Sequence, residues 1–264
     1  MTDHREKKFL EQYLRERPAA FAFWRLLEYR AYKETELVSP ILDLGCGDGL
    51  FGSHLYPGHF VVGVDQSCDE LLRLRSDRRA KAYASTCVAS ASDLPFRDGA
   101  FRTVVANCVL EHVADLARTL AETRRVLSPG GCLLATVPSD RFGDLLAGRR
   151  WLARLGAPTA SSFYQGLVNR LLDHKHLLSA TAWSRLLEEA GFGEVAIKGL
   201  VTTAQLSLFE AGMALAFPAF VHRRLRGTWK VVPKPQLARV LERLAPVSPP
   251  PTNEAAAFLI VARA

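Results

Sequence analysis

Three carboxylates and a run of closely spaced glycines lie in the N-terminal half of the chain. Asp43 stands in a short apolar segment, and glycines occupy every second position of the loop 45–49 directly after it. Asp65 ends a β-branched segment, and Asp93 lies beyond a third apolar segment. Glycine permits a positive φ and lets a ligand approach the main chain, while a carboxylate accepts hydrogen bonds from hydroxyl and amino groups. These residue types indicate a site for a nucleotide-like ligand.

The glycine spacing leaves more than one kind of nucleotide open. Gly47-x-Gly49-x-x-Gly52 satisfies the fingerprint of proteins that bind NAD or FAD. Two features count against a dinucleotide. The apolar segment stops at Leu44, ahead of the fingerprint, and Asp43 at its end would repel a pyrophosphate. A cationic ligand suits that carboxylate better, so an NAD-dependent oxidoreductase is the weakest functional alternative.

The elements that position these residues alternate between strand and helix. Apolar and β-branched composition predicts strands over residues 41–44, 60–65, 81–89, 100–106, 132–137, 194–200 and 255–262. Amphipathic helices are predicted over 115–127 and 180–190, with one or two more over 9–37, and residues 50–55 are predicted to form the first turns of a helix after the glycine loop. This alternation implies a doubly wound α/β sheet with mostly parallel pairing and right-handed crossovers. In such a sheet an acidic residue that ends the second strand, here Asp65, accepts hydrogen bonds from ribose hydroxyls.

The length of 264 residues accommodates one large α/β domain with additions. We predict a single domain over 1–264, with N-terminal helices over 1–39 and a cofactor-binding core over 40–137. The regular rhythm of strands and helices breaks after Pro138. The segments 138–178 and 201–254, together with the N-terminal helices, are therefore predicted to form a cap over a substrate pocket.

Charge and cysteine content indicate which kinds of partner and which cellular compartment to expect. The net charge of +7 comes from basic residues in short scattered groups, which favours solvated faces over a nucleic-acid surface. The five cysteines lack CxxC spacing, so neither a disulfide framework nor a metal site is expected. The charged N-terminus has no apolar segment typical of a secretory signal after it. We expect a cytoplasmic protein; the sequence does not predict its oligomeric state.

The segment 201–230 is markedly apolar. Glu210, Gly212 and Pro218 interrupt it, so a membrane-spanning helix is not expected. An amphipathic lid over an apolar acceptor and a plain packed helix pair are equally compatible with this pattern. Peripheral membrane contact is a lesser alternative.

Five short motifs occur in order between residues 43 and 131. They are Asp43-Leu44-Gly45-Cys46-Gly47-Asp48-Gly49, Val62-Gly63-Val64-Asp65-Gln66-Ser67, Ser92-Asp93-Leu94-Pro95-Phe96 with Asp98-Gly99-Ala100-Phe101, Leu110-Glu111-His112-Val113, and Arg125-Val126-Leu127-Ser128-Pro129-Gly130-Gly131. In this order and spacing they resemble the motifs of class I S-adenosylmethionine-dependent methyltransferases, and in particular the ubiquinone-biosynthesis-type subgroup that methylates small molecules. The resemblance covers residues 40–137 well and 179–200 more loosely. It implies a Rossmann-like, seven-stranded, mostly parallel sheet with an antiparallel last strand and helical cap insertions.

The resemblance also implies which residues bind S-adenosylmethionine, with S-adenosylhomocysteine as the product. Gly45, Cys46 and Gly47 would contact the amino-acid part of the cofactor, and Asp43 would reach its ammonium group directly or through water. Asp65 would accept hydrogen bonds from both ribose hydroxyls. The remaining predicted contacts are the adenine amino group with Asp93, the adenine ring with Leu94 and Gln66, and the methionine side with Asn107 and Leu110.

Methyl transfer from a sulfonium requires mainly that the acceptor be held in line with the methyl group. A general base helps when the acceptor is a hydroxyl, and the candidates are His112, His174, His176 and Glu111. The spacing of His174 and His176 would also suit a metal pair, but the sequence offers no further ligands near them, so a structural role is favoured.

We predict that the protein methylates a small apolar molecule of the lipid, quinone, polyketide or glycoconjugate kind. Alternatives are a methyltransferase for RNA or another macromolecule, and a non-catalytic partner protein that binds S-adenosylmethionine. Asn107-Cys108-Val109-Leu110 lacks the Asn/Asp-Pro-Pro-aromatic signature of enzymes that methylate base amino groups, and no Pro-Cys pair occurs. The sequence does not identify the acceptor or the atom that is methylated.

Overall fold

A seven-stranded sheet lies at the centre of the protein in a computed structural model, which describes residues 4–245 and 248–264. The charged residues 1–3 and residues 246–247 of the predicted cap lie outside the described part. The strands are β1 (Ile41–Leu44), β2 (Val61–Asp65), β3 (Ser85–Val88), β4 (Phe101–Asn107), β5 (Leu127–Pro138), β6 (Glu194–Val201) and β7 (Ala257–Arg263). Their order is β3-β2-β1-β4-β5-β7-β6, and β7 alone runs antiparallel to its neighbours. The predicted α/β fold with an antiparallel last strand is confirmed.

Helices flank the sheet on both faces. They are α1 (His4–Glu16), α2 (Ala19–Lys33), α3 (Gly52–Leu55), α4 (Cys68–Ser76), α5 (Leu116–Val126), α6 (Phe142–Leu145), α7 (Ala147–Arg154), α8 (Pro158–Leu171), α9 (Ala180–Glu189), α10 (Thr203–Arg226) and α11 (Ala238–Leu244). Short 3₁₀ turns occur over Arg78–Ala82, Pro235–Leu237 and Thr252–Glu254.

Two apolar cores hold these layers together. Phe9, Leu26 and Tyr32 pack the N-terminal helices against one face of the sheet. Trp183 and Leu120 pack α9 and α5 against the other face. All four residues of β1 are buried, as expected for a central parallel strand that is covered on both sides. The loops at the carboxyl ends of β1, β2 and β4 are therefore supported by a rigid sheet.

Three predicted elements differ from the structure near the site. The strand predicted over 81–89 is shorter, because Asp77 caps a 3₁₀ turn that ends at Ala82, before the strand begins. The helix after the glycine loop starts at Gly52, and Leu50 and Phe51 belong to the turn before it. The strand predicted over 132–137 begins at Leu127, which pairs with Phe101 across an irregularity in the β4–β5 register.

The predicted cap segments are mostly helical. Residues 138–178 contain α6, α7 and α8, and most of 201–230 is one long helix, α10. The alternative of a packed helix pair over 201–230 is therefore wrong, because the helix continues through Pro218 to a C-cap at Gly227. By length and composition α10 is long and apolar enough to cross a membrane. The division of the chain into core and cap remains a prediction.

Candidate functional site

The glycine loop turns sharply at the carboxyl end of β1. Gly45, Gly47 and Gly49 all have positive φ values, of 70°, 53° and 72°. The amides of Gly45 and Cys46 both donate to the carbonyl oxygen of Val64, at 2.7 and 3.0 Å, which ties the loop to β2. A methyl group on Gly47 would meet no atom within 4 Å, so the main chain there faces open space. The loop thus offers an accessible backbone where the sheet edge is most rigid.

Asp65 joins this loop to the start of α4. Its Oδ2 accepts a hydrogen bond from the amide of Gly47 and its Oδ1 from the amide of Ser67, each at 2.8 Å. Two bonds to different segments fix the plane of the carboxylate. Each oxygen has a further lone pair, so the group can also accept hydrogen bonds from a ligand.

Two cavities, each of about 300 Å³, lie on either side of Gly45 and Asp65, which line both of them. The first, here called the His112 cavity, is also lined by the predicted residues Gln66 and His112. The second, here called the Arg25 cavity, is also lined by Arg25 and by four residues that were predicted to bind the cofactor: Asp43, Cys46, Gly47 and Asn107. The site is therefore a divided trough whose midpoint is Asp65.

Three of the residues predicted to bind the cofactor line neither cavity. The side chain of Asp93 is exposed. Leu94 and Leu110 are buried in the core on the α5 face of the sheet, where they pack against other apolar side chains. Neighbouring residues of the Asp93 loop, Ser90 and Ser92, line the His112 cavity instead. The contacts of Asp93, Leu94 and Leu110 with a cofactor stay predictions.

Asp43 is a buried carboxylate in the wall of the Arg25 cavity. The hydroxyl of Tyr83 donates to its Oδ2 at 2.6 Å. Burial raises the pKa of Asp43 from 3.8 to about 7, against the hydrogen bond of Tyr83, and the charge of Asp65 adds to the increase. A cationic group in the cavity would favour ionisation of Asp43, because opposite charges at short range stabilise one another.

The sequence analysis placed the N-terminal helices in the cap over the acceptor pocket, but it named none of their residues as part of the site. Tyr13, Phe21 and Arg25 of α1 and α2 line the Arg25 cavity. Between these helices, Arg17 pairs with Asp48 of the glycine loop, and Arg79 pairs with the same carboxylate at 3.1 Å. The nearby arginines hold the pKa of Asp48 below its usual value, although burial opposes them. No local sequence motif predicts this cluster, because its arginines come from two segments that are distant in the sequence from the loop carboxylate.

A buried polar network lies beside the Arg25 cavity, where Arg25 and Asn107 form part of the wall. Glu28 of α2 accepts hydrogen bonds from Trp24 at 3.0 Å, from Thr136 at 3.1 Å and from Arg25 at 2.7 Å. With its amide nitrogen towards the acceptors, Asn107 donates to Thr136 at 2.9 Å and accepts from Arg25. The network fixes Asn107 at the end of β4, so this predicted residue is held firmly in the cavity wall.

The three histidines proposed as bases occupy different environments. His112 lines its cavity, and its Nδ1 lies 2.9 Å from the carbonyl oxygen of Asp173. His174 packs edge-on against Phe142, with ring centres 5.0 Å apart, and burial lowers its pKa to about 4. His176 bonds through Nε2 to the carbonyl of Val113 at 2.9 Å. His174 and His176 do not line the His112 cavity or the Arg25 cavity.

Of the three histidines only His112 lines one of these cavities, so a role as base stays a prediction for its Nε2. Because a carbonyl only accepts, Nδ1 carries the proton and Nε2 keeps its lone pair. Burial lowers the pKa of His112, which favours the neutral ring. Glu111 Oε1 lies 3.7 Å from Nε2, and burial raises the pKa of this carboxyl to about 8. Across residues 4–245 and 248–264, no group of three His, Cys, Asp or Glu side chains could hold a metal ion.

A third cavity, of about 550 Å³, adjoins the Arg25 cavity and is here called the Arg223 cavity. The two share five lining residues: Arg17, Asp48, Glu70, Arg223 and Trp229. Six basic side chains line the Arg223 cavity against four acidic ones. Burial and the nearby arginines lower the pKa of Arg223, although Glu70 opposes them, and the indole nitrogen of Trp229 has no partner in the described chain. These donors suit an anionic group.

Residues 42–135 match a family described as a methyltransferase domain. The chain is 36% identical over 109 residues to malonyl-[acyl-carrier protein] O-methyltransferase of Legionella pneumophila, and the match covers 40% of this chain and 38% of that protein. It is 38% identical over 113 residues to demethylmenaquinone methyltransferase of Symbiobacterium thermophilum, over 39% and 45% of the two chains. The chain thus spans less than half the length of these curated relatives.

A solved structure shares the fold over nearly the whole chain. A SAM-dependent methyltransferase from Thermotoga maritima superposes with a TM-score of 0.60 at 18% identity, and the match covers 98% of each chain. At this identity the likeness describes the fold alone. It extends beyond residues 42–135 to the N-terminal helices and to the segments that follow β5.

Proposed function

We propose that the protein binds S-adenosylmethionine across the His112 and Arg25 cavities and transfers its methyl group to a small molecule, because residues 42–135 match a family described as a methyltransferase domain. One observation carries this proposal: Asp65 lines both cavities and retains free lone pairs there. A ligand with a ribose at its centre, an adenine at one end and an amino acid at the other fits such a divided trough.

The residues of the trough fit this cofactor. Asp65 would accept from the ribose hydroxyls, and Gln66 stands in the wall of the His112 cavity on the adenine side. Asp43 lines the Arg25 cavity, where an ammonium would pair with its carboxylate. Gly47 has room for an approaching amino-acid group. The guanidinium of Arg25, in the same cavity, suits the cofactor carboxylate.

When bound, S-adenosylmethionine supplies an electrophilic methyl group on a sulfonium. The chain then has to orient the acceptor and exclude water. Asn107, fixed by Thr136, orients polar groups at the methionine side. Among the three candidate histidines only His112 lines the trough, but it lies in the cavity opposite the methionine side, so its role as a base stays a prediction.

We propose further that the acceptor combines an apolar body with an anionic group. The Arg223 cavity opens beside the methionine side of the trough and carries an excess of cations. An acceptor seated there would bring an anionic group to Arg223 and to the free indole donor of Trp229. Such an acceptor is more polar than the purely apolar one expected from the sequence.

The cofactor is tested by calorimetric titration with S-adenosylmethionine. We expect wild type and the control variant Asp69→Asn, altered at an exposed residue of α4, to bind equally well. Asp65→Asn should bind at least about tenfold more weakly, because an amide cannot accept both main-chain and ribose bonds. Equal affinity of Asp65→Asn, or binding of NAD in place of S-adenosylmethionine, would contradict the assignment.

The acceptor is tested with S-adenosylmethionine that carries an isotopically labelled methyl group. A small-molecule extract is separated on an anion-exchange resin, and the protein is incubated with each fraction and, separately, with total RNA. Label is expected in the retained fractions. Label in the unretained fraction would refute the anionic group, label in RNA would favour the macromolecular alternative, and no transfer at all would favour a non-catalytic partner protein.

A further inference from the structure

Two cap helices expose large apolar side chains to solvent. Trp151 of α7 and Leu155, the residue directly after α7, are 62% and 63% exposed, and Phe163 and Leu167 of α8 are 72% and 43% exposed. The two residues of each pair are four positions apart in the sequence, so they lie on the same face of a helix and form an apolar stripe. Aromatic and aliphatic residues in such stripes normally pack against something, because apolar area in contact with water is unfavourable.

The long helix α10 is anchored at one end and projects at the other. Leu206 and Phe209 are buried, and Gly212 lies so close to Ala20 of α2 that a methyl group there would meet it at 3.0 Å. Beyond Ala216 the helix no longer packs against α2. The large apolar side chains around and beyond this point are exposed; they are Leu215, Phe217, Val221 and Leu225. Because the first half packs in the protein core, α10 does not span a bilayer in this fold.

The exposed stripes and α10 belong to one surface. Glu210 of α10 accepts hydrogen bonds from the amide of Gly148 at 2.9 Å and from the hydroxyl of Tyr164 at 2.6 Å. These bonds attach α10 to the start of α7 and to the middle of α8. We call α7, α8 and the part of α10 after Glu210 the cap surface.

The cap surface carries only positive charges. Residues 145–172 contain four arginines and no acidic residue. Residues 211–226, the part of α10 in this surface, contain three arginines and again no acidic residue. Across the whole chain the ratio is far more even, at 34 basic to 27 acidic residues. Exposed apolar stripes beside cations are typical of helices that lie at the boundary between lipid headgroups and acyl chains.

We propose that the cap surface binds the interface of an anionic lipid bilayer, with the apolar stripes inserted among the headgroups and the arginines paired with lipid phosphates. Each Lys or Arg near such a surface contributes about 1 kcal/mol, so the seven arginines of the cap surface permit firm but salt-sensitive binding. This proposal does not depend on methyl transfer, because it uses none of the residues assigned to the cofactor.

Vesicle sedimentation of the full chain tests the proposal. The protein is mixed with phosphatidylcholine vesicles, with or without about 30 mol% phosphatidylglycerol. We expect binding only to the anionic vesicles, and at least about a tenfold loss of binding in about 0.5 M salt. The variant Trp151→Ser/Phe163→Ser/Leu215→Ser should also lose at least about tenfold, because it removes an insertion anchor from each helix. The control Phe60→Ser changes a residue that is 57% exposed outside the cap surface, and it should bind like wild type.

Two further measurements make the outcomes distinct. Thermal unfolding and S-adenosylmethionine titration of the triple variant should match wild type, since only exposed residues change. Light scattering without vesicles should show the same oligomeric state for the wild type and the triple variant. Equal binding of triple variant and wild type to anionic vesicles, or no binding by wild type, would overturn the proposal. A dimer that disappears in the triple variant would assign the surface to a second copy of the chain instead.

Discussion

Replacement of Asp43 by asparagine should stabilise the ligand-free protein at alkaline pH and weaken its binding of S-adenosylmethionine. Asp43 is buried with one clear hydrogen bond, from the hydroxyl of Tyr83, and burial raises its pKa from 3.8 to about 7. The folded protein therefore resists ionisation of this group. Asparagine is similar in shape, can still accept from Tyr83 and carries no charge.

The sign and the size follow from linkage. The folded-state pKa of Asp43 lies above the unfolded value, so its contribution to stability is full below pH 4 and is lost as the pH rises through 7. The whole shift corresponds to about 4 kcal/mol at 1.36 kcal/mol per unit. Between pH 5 and 8, the free energy of unfolding of Asp43→Asn should thus increase relative to that of wild type by about 2–3 kcal/mol.

Denaturant unfolding of both proteins without ligand, at pH 5 and at pH 8, measures this difference. Asp69→Asn, altered on the exposed face of α4, is the matched control and should show no such trend. In calorimetry at pH 8, Asp43→Asn should bind S-adenosylmethionine about 10- to 100-fold more weakly, because a charge-assisted bond to the ammonium is lost. A difference in stability that is constant with pH would refute the raised pKa. Unchanged affinity would refute the contact with the ammonium.

Two other substitutions test the packing of the loop and the buried histidine. Gly45→Ala and Gly58→Ala both place a side chain at positive φ, but only Gly45 has Val109 within 2.4 Å of the added methyl group. Thermal unfolding should show Gly45→Ala to be the more destabilised, by about 1–3 kcal/mol, and equal values would contradict the observed contact. His174 has a pKa lowered to about 4, so its contribution to stability is lost as the pH falls from 6.5. The variant His174→Phe keeps an aromatic ring against Phe142. Its free energy of unfolding should fall by about 1–2 kcal/mol less than that of wild type between pH 8 and pH 5. An equal fall in both proteins would show that His174 is not kept neutral by burial.

The sequence was sufficient to predict the sheet and the half of the site formed by β1 and β2. Strand β1 was predicted at its observed bounds, because its apolar run is delimited by Pro40 and Gly45. Asp65 was predicted at the end of the second strand and lies there. Local composition specifies such features, because a central parallel strand must be apolar along its length and its loop must begin with glycine.

The N-terminal helices were predicted to lie over the acceptor pocket, but the residues that they contribute to the site could not be predicted. Arg17 and Arg25 reach the cavity because α1 and α2 fold back over the sheet, and only tertiary packing determines that arrangement. The motifs also did not specify the direction of each side chain. Leu110 has a motif position beside Glu111 but packs in the core, so a position in a motif does not specify which way a side chain points.

The place of β7 within the sheet has a consequence for how the protein is made. Cys132 of β5 pairs with Arg263 of β7, and Glu194 of β6 pairs with that same residue. During synthesis, β5 and the helices of the cap leave the ribosome long before the strand that separates β5 from β6. Until β7 arrives, both neighbouring strands have an unpaired edge, and such edges favour aggregation. Pairing over so large a sequence separation is also slow. Yield of folded protein in cells should therefore depend on translation speed and chaperone supply more strongly than its final stability would suggest.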